Sequence, residues 1–420
     1  MTRSHQNTVA VTGIGLVSAL GRNATENWAA LSAGQSGASL IQRFPVDGLR
    51  TQFAACVDRF CDVTRRPTEI THDLAQMAMQ EALAQSGHAD LPQFPGKLVV
   101  AVPPVQMEWP DRLDLANTQP TPVRDATDLI HAAGGPAFRD LRAHLRFGET
   151  TERLAREIRP EGLPATINTA CSSGASAIQI GVEAIRRGEV DAALVIGADA
   201  SVSPEMLLRF GLLSALSRRN DDPATASRPF DATRDGFVPG EGAGALVLER
   251  HDIAEKRGAP ILGLISGIGE RLDAYHRIRQ RPDAGPVAAA MAAAIADAAL
   301  RPDDIDYVNA HGTSTGENDR VECKGLYTVL GARAAHVPVS SIKSMTGHTL
   351  SAAGAIEAAA TIMMLQHQQI LPTINLTTLD PDIALDVVPN VARASKITHV
   401  LSNSFGFGGQ NVCLVISKAP

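Results

Sequence analysis

An apolar segment, Leu163 to Asn168, is followed by Thr169-Ala170-Cys171-Ser172-Ser173-Gly174 and then by a helical pattern, Ala175 to Ile185. The first reads as a short buried strand, so the chain must turn sharply at Cys171 to enter the helix. A strand-turn-helix unit of this kind belongs to α/β architecture. It sets Cys171 at a helix N-terminus, where unpaired N–H groups and the helix dipole favour a thiolate. A thiolate presented in this way is an activated nucleophile. An isolated cysteine is more often a small inert core residue. What tips the reading toward chemistry is the company Cys171 keeps elsewhere in the chain.

At 420 residues the chain has room for two or three domains. It is rich in Ala and Gly and only 4% aromatic, which fits helices packed closely on sheets. A formal charge of −7 argues against nucleic acid or an anionic membrane as a bulk partner. The five cysteines (Cys56, Cys61, Cys171, Cys323, Cys413) are odd in number and lack a C-x-x-C pair, so neither a disulfide framework nor a metal site is expected. That pattern reads as a reduced, cytoplasmic protein. The polar start, Met1 to Thr8, is no signal peptide, and no apolar run spans a membrane.

Val9 to Val17 reads as a strand feeding a glycine turn, Gly13-Ile14-Gly15. Ser18 stands where a dinucleotide fingerprint needs its third glycine, so close backbone approach is the better reading. Helices are expected from Ala24 to Ala33 and Thr71 to Gln85, and strands from Lys97 to Val102, Ala192 to Ile196 and Ala245 to Leu248. A Pro-containing irregular segment runs from Pro103 to Pro122, and helical patterns from Asp128 to Arg159. The link after Arg250 divides the chain into halves, 1–258 and 259–420. The second half echoes the first: Ser344 to Gly354 is again a polar turn with small residues ahead of an Ala-rich helix. A fold of two related halves would aim both helix N-termini at one centre and bring Cys171 to His348.

His311, in Asn309-Ala310-His311-Gly312-Thr313-Ser314-Thr315, follows an apolar strand, and His348 lies in Lys343-Ser344-Met345-Thr346-Gly347-His348. One such histidine is ordinarily structural. Two, each in a small-residue turn, point to neutral imidazoles donating hydrogen bonds to a developing oxyanion or enolate. The loop Asn403 to Asn411 sets two phenylalanines among glycines, which suits backbone lying close to a substrate with an aromatic gate. A plain turn before a terminal strand, Val412 to Ile416, is the simpler alternative.

Taken together, these motifs resemble the elongating β-ketoacyl-acyl-carrier-protein synthases of the thiolase superfamily. The resemblance rests on VTGIG at Val11, TACSSG around Cys171, RPFDATRDGFVPGEGAG from Arg228, NAHGTSTGEND from Asn309, SIKSMTGHTLSAAGAIEA from Ser341 and NSFGFGG from Asn403. It implies a thiolase-like α/β fold of two pseudo-symmetric halves, each a five-stranded sheet, in α-β-α-β-α layers, and a homodimer. It implies that Cys171 carries the acyl chain, that the N–H groups of Cys171 and Phe407 form an oxyanion hole, and that His311 and His348 stabilise an enolate made by decarboxylating malonyl-acyl carrier protein. Lys343 and Glu357 match the family's charged pair, whose alternative role is a buried ion pair that fixes the second half. Asp319 matches an acid behind the histidines. No cofactor is implied, because substrates arrive on the phosphopantetheine of acyl carrier protein.

Four rivals share the fold or the partner. Initiating synthases carry Asn where His348 stands, and degradative thiolases use a second cysteine in a C-terminal C-x-G motif. Chain-length-factor subunits lack the nucleophile. A pure carrier-binding module needs no Cys-His-His set. Two stretches depart from the family pattern. Pro103 to Trp109 replaces a glycine-rich turn, which makes Val105 and Met107 candidates for an atypical acyl pocket. Arg277-Ile278-Arg279-Gln280-Arg281 replaces small polar residues. With Arg65, Arg66 and Arg209, Arg277 and Arg279 make a candidate docking patch for an acidic carrier protein, or simply a solvated face.

Overall fold

The computed structural model describes residues 8–58, 65–117, 125–135 and 138–419; Cys61 and the first seven residues lie outside them. Eleven strands form one sheet. In chain order they are Val9–Ser18 (β1), Lys97–Ala101 (β2), Ala165–Ile167 (β3), Ala192–Asp199 (β4), Gly242–Arg250 (β5), Gly263–Leu272 (β6), Tyr307–Asn309 (β7), Pro338–Ser340 (β8), Asp386–Val387 (β9), His399–Phe405 (β10) and Gln410–Ser417 (β11). The spatial order is β9-β8-β7-β10-β11-β6-β1-β5-β4-β2-β3.

Pairing reveals the internal repeat. From β1 outward, β5 and β4 are added antiparallel, then β2 and β3 parallel. From β6 outward, β11 and β10 are added antiparallel, then β7 and β8 parallel. The two halves therefore have one topology, with β9 as an extra edge strand. The two five-stranded halves are continuous with each other. Val9–Val11 pairs with Gly263–Ile265 and joins them.

The helices Ser173–Arg186 and Ala353–His367 are equivalents in the two halves and pack on each other between the sheet halves. Pro67–Ser86 and Gly285–Asp297 cover the outer faces, which gives the five α-β-α-β-α layers. The central position explains why Ala353 to Leu365 is buried all round, where a surface helix would show one apolar stripe. Small residues permit the contact. A Cβ on Gly174 would lie 2.5 Å from the Ala355 nitrogen, and one on Gly354 the same distance from the Ala175 nitrogen.

Three sequence expectations change, the first being that the segment read as irregular from Pro103 to Pro122 holds a helix, Trp109–Asn117. Gly13 and Gly15 make no turn; β1 runs unbroken through them with a bulge between Val11 and Gly13, and Pro67–Ser86 crosses so closely that a Cβ on Gly15 would meet the Ala78 oxygen at 1.9 Å. The helical stretch from Asp128 to Arg159 is three helices, Ala126–Gly134, Arg139–His144 and Glu149–Ile158. The glycines at 134, 135 and 148 interrupt it.

Candidate active site

Cys171 lies just before the helix Ser173–Arg186, whose N-cap is Ser172. The preceding Ala170 has φ +52°, a left-handed conformation that a Cβ disfavours. Asn168 holds it there: its Oδ1 accepts from the Ala170 N–H at 3.1 Å, and its Nδ2 donates to the Val102 carbonyl at 2.7 Å. The turn thrusts Cys171 into a cavity of about 360 Å³, which His311, His348, Phe405 and Phe407 also line. Residues far apart in the sequence thus converge, as a two-half fold requires.

The backbone N–H groups of Phe407 and of Cys171 itself both favour a sulfur anion. They do not prevail. Burial is the larger effect and pushes the Cys171 thiol up to about 11, with the Asp199 carboxyl adding to it and Lys343 opposing. The resting group is therefore a thiol, contrary to the thiolate expected from the helix N-terminus. Only 7% of Cys171 is exposed, and desolvating an anion outweighs a partial dipole charge.

The two imidazole rings lie with centroids 5.5 Å apart and nearly perpendicular. His348 Nδ1 accepts from the Leu350 N–H at 3.3 Å, which places the ring proton on Nε2. That Nε2 is buried and has no partner. His311 Nδ1 lies 3.4 Å from the Lys343 ammonium, which also donates to the His311 carbonyl at 2.6 Å. Burial, then Lys343, hold both rings well below the ordinary histidine range, and His348 adds to the effect on His311. Both are neutral donors.

Lys343 is ion-paired with Glu357, and both are buried. Burial pushes Glu357 up to about 7 against the pull of Lys343. Asp319 does not reach the cavity. Its carboxylate accepts from the Phe230 and Thr313 N–H groups and pairs with Arg234 at 3.3 Å, fixing the loop after His311. Sequence reasoning missed Glu322, three residues on from Asp319 in the helix Asn318–Leu330. Its oxygens accept from the His311 and Gly312 N–H groups at 2.8 and 2.9 Å and from Asn403 Nδ2 at 2.9 Å. It therefore ties the histidine loop to the strand that leads to Phe407. The available signal was a pair of acids at i, i+3 spacing just after a histidine motif.

Phe407 lines the cavity, its ring centroid 6.3 Å from that of Phe210 on the helix Pro204–Leu212. A Cβ on Gly409 would lie 1.8 Å from the Asp273 oxygen, and its φ is +88°, so only glycine fits there. The Gly408 N–H donates to the Arg277 carbonyl at 2.8 Å. The arginine-rich loop thus packs directly on the Phe407 loop, and Arg279 lines the cavity with Thr313 and Thr315.

The other three arginines of the supposed patch are engaged elsewhere. Arg65 pairs with Asp73, Arg66 with Asp111 at 3.0 Å, and Arg209 donates to Gln106. The acyl-pocket residues also lie apart from Cys171. Val105 lines a separate cavity of about 40 Å³ with Gln106, Glu108 and Ser201, and Met107 lines neither. The chain leaves β2 through Pro103-Pro104, neither of which has an N–H to extend the ladder toward Cys171.

Among the described residues, Cys56, Asp58 and Glu241 bring three ligand-type atoms within 4.8 Å of one another. Arg43 already neutralises them, paired with Glu241 and 3.5 Å from Asp58.

The beta-ketoacyl synthase N-terminal domain matches residues 152–254, and the C-terminal domain matches residues 262–377. A 3-oxoacyl-[acyl-carrier-protein] synthase 2 of Coxiella burnetii is 36% identical over 98% of both chains. The tetracenomycin polyketide synthase ketoacyl synthase alpha subunit of Streptomyces glaucescens is 35% identical over all of this chain and 99% of its own. A solved type II polyketide ketosynthase complexed with its acyl carrier protein, AntDE:AntF, is 28% identical with a TM-score of 0.85, covering 98% of this chain and 99% of its own. The chain belongs to the β-ketoacyl synthase family, the condensing acyltransferases of fatty-acid and polyketide chain elongation.

Proposed function

We propose that this chain is a catalytically competent elongating synthase, which condenses malonyl-acyl carrier protein with an acyl group held on Cys171. The observation that carries the reading is the meeting of one thiol and two neutral imidazole donors, one with an unpartnered Nε2–H, in a single cavity. Cys171 sulfur attacks the acyl thioester on the carrier and loses its proton, and the carrier thiol leaves. The N–H groups of Cys171 and Phe407 stabilise the oxyanion. Malonyl thioester then loses CO2, and the Nε2–H groups of His311 and His348 take up the enolate oxygen's charge. The carbanion attacks the Cys171 thioester, the Cys171 thiolate leaves, and a 3-oxoacyl chain two carbons longer departs on the carrier.

Lys343 holds the His311 ring and keeps both imidazoles neutral, and Glu357 balances its charge. Asp319 and Glu322 position the loop. No cofactor is required, since carbon–carbon bond formation here needs charge stabilisation and no redox step. Thr313, Thr315 and Arg279 at the mouth suit the amide and phosphate groups of phosphopantetheine, and Arg277 and Arg279 suit an acidic carrier protein. The protein works in the cytoplasm as a homodimer. The open edge of β3, with Leu163 beside it 89% exposed, favours pairing with a second copy.

A chain-length-factor role would leave Cys171 without a purpose. Cys171→Gln tests both readings: condensation is lost while malonyl decarboxylation persists, because both imidazoles remain. Loss of both activities would mean that the histidine roles are wrong. Wild-type protein that takes no iodoacetamide on Cys171 would favour the inactive subunit.

A further inference from the structure

Backbone strain sits beside two of the reacting groups. Ala170, just before Cys171, has φ +52°, and Leu350, two residues after His348, has φ +45°. A residue with a Cβ keeps this left-handed conformation only where its surroundings impose it. At Leu350 both flanking peptide groups are tied. Its own N–H donates to His348 Nδ1 at 3.3 Å. The next N–H, that of Ser351, donates to Asp199 Oδ2 at 3.0 Å. Asp199 ends β4 and is fully buried, and the reaction set out above makes no use of it. Its Oδ1 accepts from the Ser201 N–H at 3.0 Å and from the Ser201 hydroxyl at 2.6 Å. These three bonds all run into the carboxyl oxygens. β4 also lies against the turn, since a Cβ on Gly197 would come within 3.2 Å of the Ser351 carbonyl oxygen. The Ser351 hydroxyl reaches toward the other strained residue: Asn168 Nδ2 donates to it at 3.3 Å, while Asn168 Oδ1 accepts from the Ala170 N–H.

We propose that Asp199 is a positioning residue: through the Ser351 N–H it holds Leu350 in its left-handed conformation, and so keeps the Leu350 N–H on His348 Nδ1 and the ring proton on Nε2.

Only the two dihedral angles of Leu350 separate the Leu350 N–H from the Ser351 N–H. With both N–H groups bonded, those angles are fixed. With Ser351 released, Leu350 relaxes toward negative φ, and its N–H turns away from the ring. The His348 N–H and carbonyl are bonded to Val238 and Gly240, so the residue itself stays in place when the turn after it relaxes. Its Nδ1 then lacks a donor, and the tautomer with the proton on Nδ1 becomes accessible. That tautomer presents a lone pair at Nε2, which repels an enolate oxygen where an N–H would stabilise it. This effect on turnover rests on the enolate role of His348 proposed above; the tautomer does not.

The test reads the tautomer directly, by nitrogen NMR of the imidazoles in the full chain, with the His348 signals assigned by their loss in His348→Asn. Wild type should carry the proton on Nε2. Asp199→Asn should move most of it to Nδ1, because the amide oxygen goes to Ser201, which brings two donors, and the amide N–H2 then faces the Ser351 N–H. Malonyl decarboxylation in that variant should fall about tenfold in kcat with KM unchanged. Adding Leu350→Gly to Asp199→Asn should recover most of the loss and return the proton to Nε2, because glycine holds the left-handed turn without an anchor. A general folding defect would not be rescued in this way. Ser351→Ala keeps its N–H and should leave the tautomer as in wild type. A wild-type proton on Nδ1, which needs no variant to detect, would overturn the proposal. So would a shifted tautomer in Ser351→Ala, an unchanged one in Asp199→Asn, or a double variant no better than the single one. A tautomer that shifts in Asp199→Asn while decarboxylation stays constant would support the role of Asp199 and sink the enolate role of His348 instead.

Discussion

At the residue scale, the chemistry depends on which groups stay uncharged. Cys171, His311 and His348 are all neutral at rest because each is desolvated, and local dipoles do not reverse that. Alkylation of Cys171 by iodoacetamide should therefore accelerate about tenfold per pH unit from 7 to 9, as the thiolate fraction rises. A rate already constant at pH 7 would mean that the helix N-terminus wins after all. Replacing His348 by Ala removes a donor to the enolate and should cost about 3 kcal/mol of barrier, roughly a hundredfold in kcat for condensation. The same burial has a signature in stability. Both imidazoles have folded-state values below the unfolded one, so between the two the unfolded chain binds more protons than the native one. Stability is fully present above about pH 6.5 and falls as pH drops below it. Urea midpoints measured from pH 7 to 5.5 should fall less steeply in His348→Asn than in wild type.

At the scale of elements, the two central helices set how close the halves come. Gly174 and Gly354 face each other's helix, and either one changed to Ala forces a Cβ to within 2.5 Å of a backbone nitrogen. Gly354→Ala should lower the unfolding free energy by about 1–3 kcal/mol and reduce condensation as well, because the same helix pair carries Cys171 and follows His348. Denaturant unfolding and turnover of one preparation would check both. Gly409 does comparable work in a loop. Its contact with Asp273 lets the arginine-rich loop lie against the gate, and Gly409→Ala should disturb the gate with little global destabilisation. The elements themselves were largely legible. The Cys171 turn, its helix and the second-half echo follow from spacing and small residues. The break-up of Asp128 to Arg159 into three helices and the unbroken run of β1 through Gly13 and Gly15 were not. In the first, glycines override a helical pattern; in the second, a helix pressing on a strand demands glycine where local reading sees a turn.

At the scale of the whole molecule, eleven strands in one sheet leave β3 and β9 as edges. The edge at β3 is the proposed dimer contact, and Leu163→Asp should raise the dimer dissociation constant at least tenfold, as read by sedimentation velocity, with the fold intact. By itself the sequence determined the family and the two-half plan and named Cys171, His311 and His348 as candidates, because the motifs that carry them are local stretches of the chain. Only the tertiary structure decided three things. The Cys171 thiol is protonated at rest, since burial is set by every layer around it. Arg65, Arg66 and Arg209 are spent on Asp73, Asp111 and Gln106, since a charge finds its partner in space and not in sequence. Glu322 joins the histidine loop to the gate strand, since that bond bridges β10 and the helix Asn318–Leu330, which the chain alone keeps 81 positions apart.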